Sequence, residues 1–598
     1  MFFLEVIDFC KKFLYDKKYF YLFYNLVSEV SNMKINSVSG QSMSPNFKAA
    51  RVNILATSDN HGNVHSLPKF VKTIETNKKD IFQHAEDEST LNIFAIAGDW
   101  FINPSKKGFF TKPKATNGDI QLRFLRETIS SVKEAAGKGS NFETVFTMGN
   151  HDLDGGDSFI YKVMRTAPMK SLITNVDMAN SPGMRNCQNK SDGKIAKSFV
   201  FEIPDDKNPD MKHKVLFVGV TIPTMDFYNP KLLKKMRFFD NGNVKDANLK
   251  EEDIQKTIGA IAEEVDKFKA ENPKGAVVLM SHMGDRLSKI VRDNVPQINV
   301  ILNGHDHIAK TSLKGKTNIN SLGKDNELIK ALNLYFNDDG DLETTDMSTF
   351  FSDLTLTDDL AQHPLQLFLK ESFREDMIPH LEINDPSGEV TELDYGNEIR
   401  FSNSYLANYL TSAVKRSVRK IDPEVFSVAI QSSIIRGGLK DGSNNLDLMK
   451  VFDGVSEDLS TLQIGSVSGE EVVGLITENI KANLKAPTRN TIIHWSDFQV
   501  DRTLISEIQS GKSKKSYSDA IKARNPISKE FEPIDLMKYY KIVLPDKFLI
   551  KDDIEWPAKI RDKFIPLNHT YDELFREYLD TVEYKIKITP KTREQRVL

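Results

Sequence analysis

Five short apolar runs, each ending in a cluster of Asp, Asn, His and Gly, constrain this chain more than any other feature. Residues 52–56 close on Thr57-Ser58-Asp59-Asn60-His61-Gly62, residues 91–97 on Gly98-Asp99, and residues 145–148 on Gly149-Asn150-His151-Asp152-Leu153-Asp154. Residues 276–280 close on Ser281-His282-Met283-Gly284-Asp285, and residues 298–302 on Asn303-Gly304-His305-Asp306-His307. Apolar runs this short, closed by turn residues, read as buried strands. Between them lie helical patterns, over 119–137 (Leu122, Phe124, Leu125, Ile129, Val132) and 248–268 (Ile254, Ile258, Ile261, Val265), with a further strand over 214–222. Strands alternating with helices imply an α/β layered domain with parallel strands, and ligands of such sheets collect beyond the strands' carboxyl ends.

Taken singly, each cluster also reads as an ordinary turn, because Asn, Asp and Gly dominate turns. Any one histidine is as well explained as a hydrogen-bonded loop residue. Jointly the five loops offer Asp59, His61, Asp99, Asn150, His282, His305 and His307. Oxygen and imidazole donors without thiolate suit Mn, Fe, Zn or Co. Seven donors exceed what one ion can use while keeping a position open for water. They suit two divalent ions sharing a bridging carboxylate, roughly 3.5–4 Å apart in two-metal hydrolases.

The motifs D-x-H, G-D, G-N-H-D, H-x-G and G-H-x-H, in that order, resemble those of the calcineurin-like metallophosphoesterases. The resemblance spans residues 52–310 and implies a four-layer α-β-β-α sandwich. It also implies a ligand set: Asp59, His61, Asp99 and His307 for one ion, Asp99, Asn150, His282 and His305 for the other, with Asp99 as the bridge. His151 is then a non-ligand that stabilises charge on the phosphoryl group or protonates the leaving oxygen. Asp152 and Asp154 are both candidate carboxylate partners for it. The turn also resembles the N-H-E-F-D of the 5'-nucleotidase family, of the bacterial UDP-sugar hydrolase type, whose spacing selects Asp154.

With 598 residues the chain exceeds one core, and domain sizes imply roughly two to four domains. A strand and hairpin turn over 329–340 close the first domain, which is expected over 51–347, followed by a linker over 348–380 and a second domain over 381–598. In that second domain an Asn-led helix (Asn403 to about residue 421), a strand (425–431) and a turn carrying Arg436 resemble the smaller α+β substrate-binding domain of the 5'-nucleotidase family. Its base-stacking rings correspond to Phe452 and Phe548, for which core packing is an equally good reading. The family's glycines are replaced here. The resemblance implies substrate contacts from Arg436, Asn403 and Phe548; Arg400 is a further phosphate or ribose contact or an ordinary surface arginine.

A net charge of -4 leaves no basic footprint for nucleic acid, and the two cysteines, Cys10 and Cys187, fit no metal or redox spacing. Residues 1–50 form an extension. Its apolar run over 19–27 is too short to span a bilayer, and nearby charges interrupt any signal sequence. Residues 6–31 are expected to form an amphipathic helix on the body, with a peripheral membrane helix as the alternative. No transmembrane segment and no recognisable leader lead to the expectation of a cytoplasmic protein, export by another route being the alternative.

The expected function is a dimetal phosphohydrolase, a 5'-nucleotidase-like phosphomonoesterase using metal-bound hydroxide on a small phosphoester, a nucleotide first. A cyclic-nucleotide or nucleotide-sugar phosphodiesterase is the enzymatic alternative. A protein-binding scaffold with a vestigial substrate domain is the alternative of another class.

Overall fold

The structure, a computed structural model, describes residues 49–102, 117–222, 236, 251–314, 317–352, 358–372, 380–383, 405–431, 461–485, 493–549, 559–582 and 585–588. The helix expected over 6–31, and Arg400, Asn403, Arg436 and Phe452, lie outside the described residues.

The first half is built from strands β1 (Ala50–Thr57), β2 (Thr90–Ala97), β3 (Asn141–Thr147), β4 (Lys170–Leu172), β5 (Ile195–Ala196) and β6 (Ser198–Pro204). It continues through β7 (Lys212–Thr221), β8 (Ala276–His282), β9 (Val300–Asn303), β10 (Ala309–Lys314), β11 (Thr317–Leu322), β12 (Leu328–Phe336) and β13 (Leu342–Phe351). One sheet has the order β13-β12-β1-β2-β3-β4-β5, the other β10-β11-β9-β8-β7-β6. The neighbours β1-β2-β3-β4-β5 and β7-β8-β9-β11 run parallel, and β12, β13, β6 and β10 pair antiparallel at the margins.

Alternation along each strand explains why these segments read as continuous apolar runs: both faces of both sheets are covered. On β1, Val52, Ile54 and Ala56 point into a seam shared with Phe217, Val278 and Met280 of the other sheet. Leu55 points the opposite way, into a cluster with Phe94 of β2 and with Phe70, Phe124 and Val132 from the flanking helices. On β7, Leu216, Val218 and Val220 meet Ile254, Ile258, Ile261 and Val265 of the helix Glu251–Glu271. Three apolar layers separate four layers of structure, so the expected α-β-β-α sandwich is the observed one. The parallel strands deliver all their carboxyl ends to one edge.

Beyond β13, which continues past residue 347 to Phe351, the helix Pro364–Ser372 lies on the first sandwich rather than standing free. Phe368 packs 4.6 Å from Phe124 between ring centroids, with the Arg123 guanidinium 3.8 Å over its ring, and Leu365 and Leu369 join the same apolar cluster. The second half holds a five-stranded sheet of Ile493–Trp495, Ser427–Gln431, Tyr539–Pro545, Thr461–Ser468 and Phe564–Thr570 in that order, flanked by the helices Tyr405–Ile421 and Gly469–Lys485. This is an α+β unit with its own apolar core. Cys187 is a free, buried cysteine. Among the described residues no helix is long and apolar enough to cross a membrane.

Candidate metal centre

The strand ends turn sharply to aim their polar groups at one place. Asp59, His61, Asp99, His305 and His307 all have left-handed backbone, with φ of 52°, 49°, 53°, 86° and 59°. Such conformations cost of order 1–3 kcal/mol each for residues with a Cβ and persist where the surroundings over-determine them. Here they do: His61 N–H donates to the Asp99 carbonyl at 2.8 Å, Asp59 N–H to the Gly98 carbonyl at 3.0 Å, and His305 N–H to the Asp59 carboxylate at 3.0 Å. Two glycines permit the loops to close this tightly. A Cβ on Gly149 would overlap Asp99 Oδ1 and the Asp99 backbone nitrogen, and one on Gly98 would lie 2.5 Å from His282 Nδ1.

Asp99 is the centre of the array. Its Oδ2 lies 3.3 Å from His61 Nε2 and 3.1 Å from His282 Nε2, and its Oδ1 accepts the His151 N–H at 2.7 Å. The tautomers follow from the other ring nitrogens. His61 Nδ1 is 2.9 Å from the Asp59 carbonyl and His282 Nδ1 is 2.7 Å from the Ala97 carbonyl, contacts that require Nδ1–H. Both Nε2 atoms are buried without a hydrogen-bond partner. Two imidazole nitrogens directed at one carboxylate oxygen need a proton or a metal cation between them, and this set of oxygen and imidazole donors fits metal ions. Asp59 Oδ1 is 3.4 Å from His307 Nε2, and Asn150 Oδ1 is 3.0 Å from His305 Nδ1. Three donor groups have ligand atoms within 4.8 Å of one another: Asp59 with His61 and His307, Asp59 with Asp99 and His282, and His61 with Asp99 and His151. All seven sequence-derived donors therefore meet at one edge.

The electrostatics point the same way. Burial pushes the Asp59 carboxyl up, and the negative charge of Asp99 adds to it. His282, although burial opposes its protonation, is pushed up to about 10 by Asp99 and Asp59. Burial and the charge of His282 push His305 down to about 3. The buried carboxylates thus attract positive charge, which a divalent cation would supply.

His151 Nδ1 is 3.0 Å from Asp154 Oδ2, so Asp154 is its carboxylate partner. Asp152, the other candidate, does something the spacing does not reveal. It is fully buried, and its oxygens accept from the backbone N–H groups of Asp99 (2.9 Å), Gly149 (2.7 Å) and Phe101 (2.8 Å), tying the second and third loops together. Asp306, inside G-H-x-H, likewise accepts the Asp285 N–H at 2.5 Å at the start of the helix Gly284–Asn294, joining the fourth and fifth loops. Its position between the two candidate donors His305 and His307 is the sequence signal for that role. In the second domain, Phe548 is 2% exposed within the core formed with Trp495, Phe498 and Leu544. Its ring is an interior side chain, which is the core-packing reading of this residue.

Residues 52–309 match the calcineurin-like phosphoesterase family. Protein 5NUC of the sand fly Lutzomyia longipalpis is 22% identical over 222 residues, which cover 37% of this chain and 30% of that protein's length. Among solved structures, a 5'-nucleotidase precursor from Thermus thermophilus aligns with a TM-score of 0.56 at 15% identity, covering 92% of this chain and 99% of that one. A sulfate thiohydrolase of the same organism aligns with a TM-score of 0.54 at 14% identity, covering 93% and 98%. At these identities the likeness is one of fold, and it extends through the second domain.

Proposed function

We propose that this chain, whose residues 52–309 are a calcineurin-like phosphoesterase domain, hydrolyses phosphoesters at a two-ion centre, with 5'-nucleotides as the leading substrates. Asp59, His61, Asp99 and His307 would hold one ion and Asp99, Asn150, His282 and His305 the other. Two bound divalent ions would supply an activated water and neutralise charge on the transferring phosphoryl group. The chain's own residues do the rest. Asp99 would bridge the two halves of the donor set, and the backbone carbonyls that take Nδ1–H of His61 and His282 leave their Nε2 atoms facing Asp99. The Asp154 carboxylate holds the His151 ring by Nδ1, in position to protonate the leaving oxygen or stabilise charge on the phosphate.

The observation that carries this reading is the pair of buried Nε2 atoms that converge on Asp99 Oδ2, at 3.3 Å from His61 and 3.1 Å from His282. The test is metal analysis of the purified protein beside turnover. The wild type is expected to bind about two equivalents of Mn, Co or Zn and to hydrolyse p-nitrophenyl phosphate or a mononucleotide. Asp99→Ala is expected to lose both ions and all measurable turnover. A wild-type protein that binds no divalent ion under any condition would sink the proposal.

The interior position of Phe548 favours a second reading within the same chemistry, a diesterase acting on cyclic nucleotides or nucleotide sugars. Relative kcat/KM on mononucleotides, cyclic nucleotides, nucleotide sugars and bis-p-nitrophenyl phosphate separates the two. A non-catalytic scaffold is disfavoured by the complete donor set.

A further inference from the structure

We propose that residues 323–327, between β11 and β12, are a sixth element of the metal centre, and that Asn326 is a positioning residue for Asp59, His61 and His307. The inference rests on the two-ion reading above and assigns a role to residues outside every motif.

The loop is strained. Gly323, Asp325 and Asn326 have φ of 77°, 55° and 59°, and the last two carry side chains. Left-handed backbone is unfavourable for residues with a Cβ, least so for Asn and Asp. The contacts that hold it there reach the centre. Gly323 N–H donates to the carbonyl of Ile308, the neighbour of His307, at 3.1 Å. Asp325 N–H donates to the Asp59 carbonyl at 2.8 Å, the same oxygen that His61 Nδ1 approaches at 2.9 Å. One short loop therefore holds the Asp59 carbonyl, which His61 Nδ1 also meets, and the carbonyl of Ile308, next to His307; the ligand atoms of Asp59, His61 and His307 form one compact group. Asp59 also belongs to a group with Asp99 and His282, and under the ligand assignment above these contacts bear on the ion held by Asp59, His61 and His307.

Asn326 fixes the loop. It is 1% exposed; its Oδ1 accepts from Thr57 Oγ1 at 3.3 Å, its Nδ2 donates to Ser66 Oγ at 2.9 Å, and its carbonyl accepts from the Ser352 hydroxyl. These bonds tie the loop to the end of β1, to the turn Val64–Ser66 and to the segment after β13. A glycine at 326 would keep the left-handed backbone at no steric cost while removing both side-chain bonds. The loop could then drift, carrying the Asp59 and Ile308 carbonyls with it.

The experiment is a Co²⁺ titration of the chelator-stripped protein, followed by d–d absorption and by calorimetry, for wild type, Asn326→Gly, Ser66→Ala and the pair Asn326→Gly with His307→Ala. Partners that orient ligands are worth roughly 10–100-fold in metal affinity. The expected result is that Asn326→Gly weakens one of the two ions by that factor, changes its absorption band and leaves the other within about twofold. Ser66→Ala should weaken the same ion by a smaller factor. In the His307→Ala background, where that ion is already lost, Asn326→Gly should add nothing, because the two changes act on one site. Equal weakening of both ions, or effects that simply add to His307→Ala, would mean a general structural role and overturn the assignment. If Asn326→Gly does not fold, Ser66→Ala decides, and unchanged affinity in that variant overturns the proposal. Absence of both ions from the wild type is a separate outcome: it refutes the two-ion reading and this inference with it.

Discussion

His151 takes its orientation from a carboxylate three residues along the chain, since Nδ1 is 3.0 Å from Asp154 Oδ2, and its backbone N–H is spent on Asp99 Oδ1. The side chain is therefore held by a group that is not itself a donor to the metal set. His151→Ala is expected to lower kcat by about 10²–10⁴-fold with metal content unchanged, and Asp154→Asn to lower it in the same sense. Steady-state kinetics beside metal analysis checks this, and unchanged turnover in His151→Ala would remove the role. Asp152 predicts a different phenotype. An Asn there would turn an amide NH₂ toward backbone N–H groups, leaving at least one buried donor unsatisfied at about 1–3 kcal/mol. Denaturant unfolding of Asp152→Asn should show that loss of stability. Two carboxylates two residues apart thus separate into an orienting role and a structural one.

The loops at the strand ends act as units because other loops hold them. Gly149→Ala should destabilise by about 1–3 kcal/mol or more and weaken metal binding, since the added Cβ meets Asp99 in a packed site. Thermal unfolding with and without metal measures both effects. At the opposite end of the second sheet, the turn joining β6 to β7 carries a second predictable contact. Asp205 Oδ2 is 2.9 Å from His213 Nε2, and Oδ1 accepts the backbone N–H groups of Lys207 (2.8 Å) and Asn208 (2.9 Å). Burial would raise the Asp205 carboxyl, but His213 and the two N–H donors together outweigh it and hold it below its ordinary value. A depressed folded pKa contributes stability above the unfolded value, about 3.9, and that stability is lost as pH falls through the lower folded value. Asp205→Asn should therefore cost about 1–3 kcal/mol at pH 7, with the difference from wild type shrinking in acid, as urea unfolding at the two pH values would record. The ligand loops are legible in the sequence because each donor ends its own strand or follows it by two to four residues. The loop over 323–327 is not, because Asp325 and Asn326 act on Asp59 and Thr57 from more than 260 positions away.

For the molecule as a whole, bound ions and stability should be linked. Ions at about 100 times Kd would add roughly 2.7 kcal/mol to the folded state. For a domain of this size that corresponds to about 5–10 °C in the unfolding midpoint, which calorimetry with and without EDTA would detect. An unchanged midpoint would argue that the donors hold no tightly bound ion. The interior position of Phe548 is a whole-molecule fact as well. An aromatic in a strand-flanking segment reads alike whether it faces solvent or core, and only the packing of Trp495, Phe498 and Leu544 around it distinguishes the two. The layered α/β architecture, the seven donors and their order can all be read from the chain without coordinates, because strand burial and strand-end polarity are local properties that repeat along it. Folding in three dimensions was needed to show that Asp152 ties loops together, that Asp306 joins the fourth loop to the fifth, and that the loop fixed by Asn326 reaches the Asp59 and Ile308 carbonyls through Asp325 and Gly323. Those contacts depend on which distant backbone groups each side chain meets, and that follows from the stacking of the two sheets.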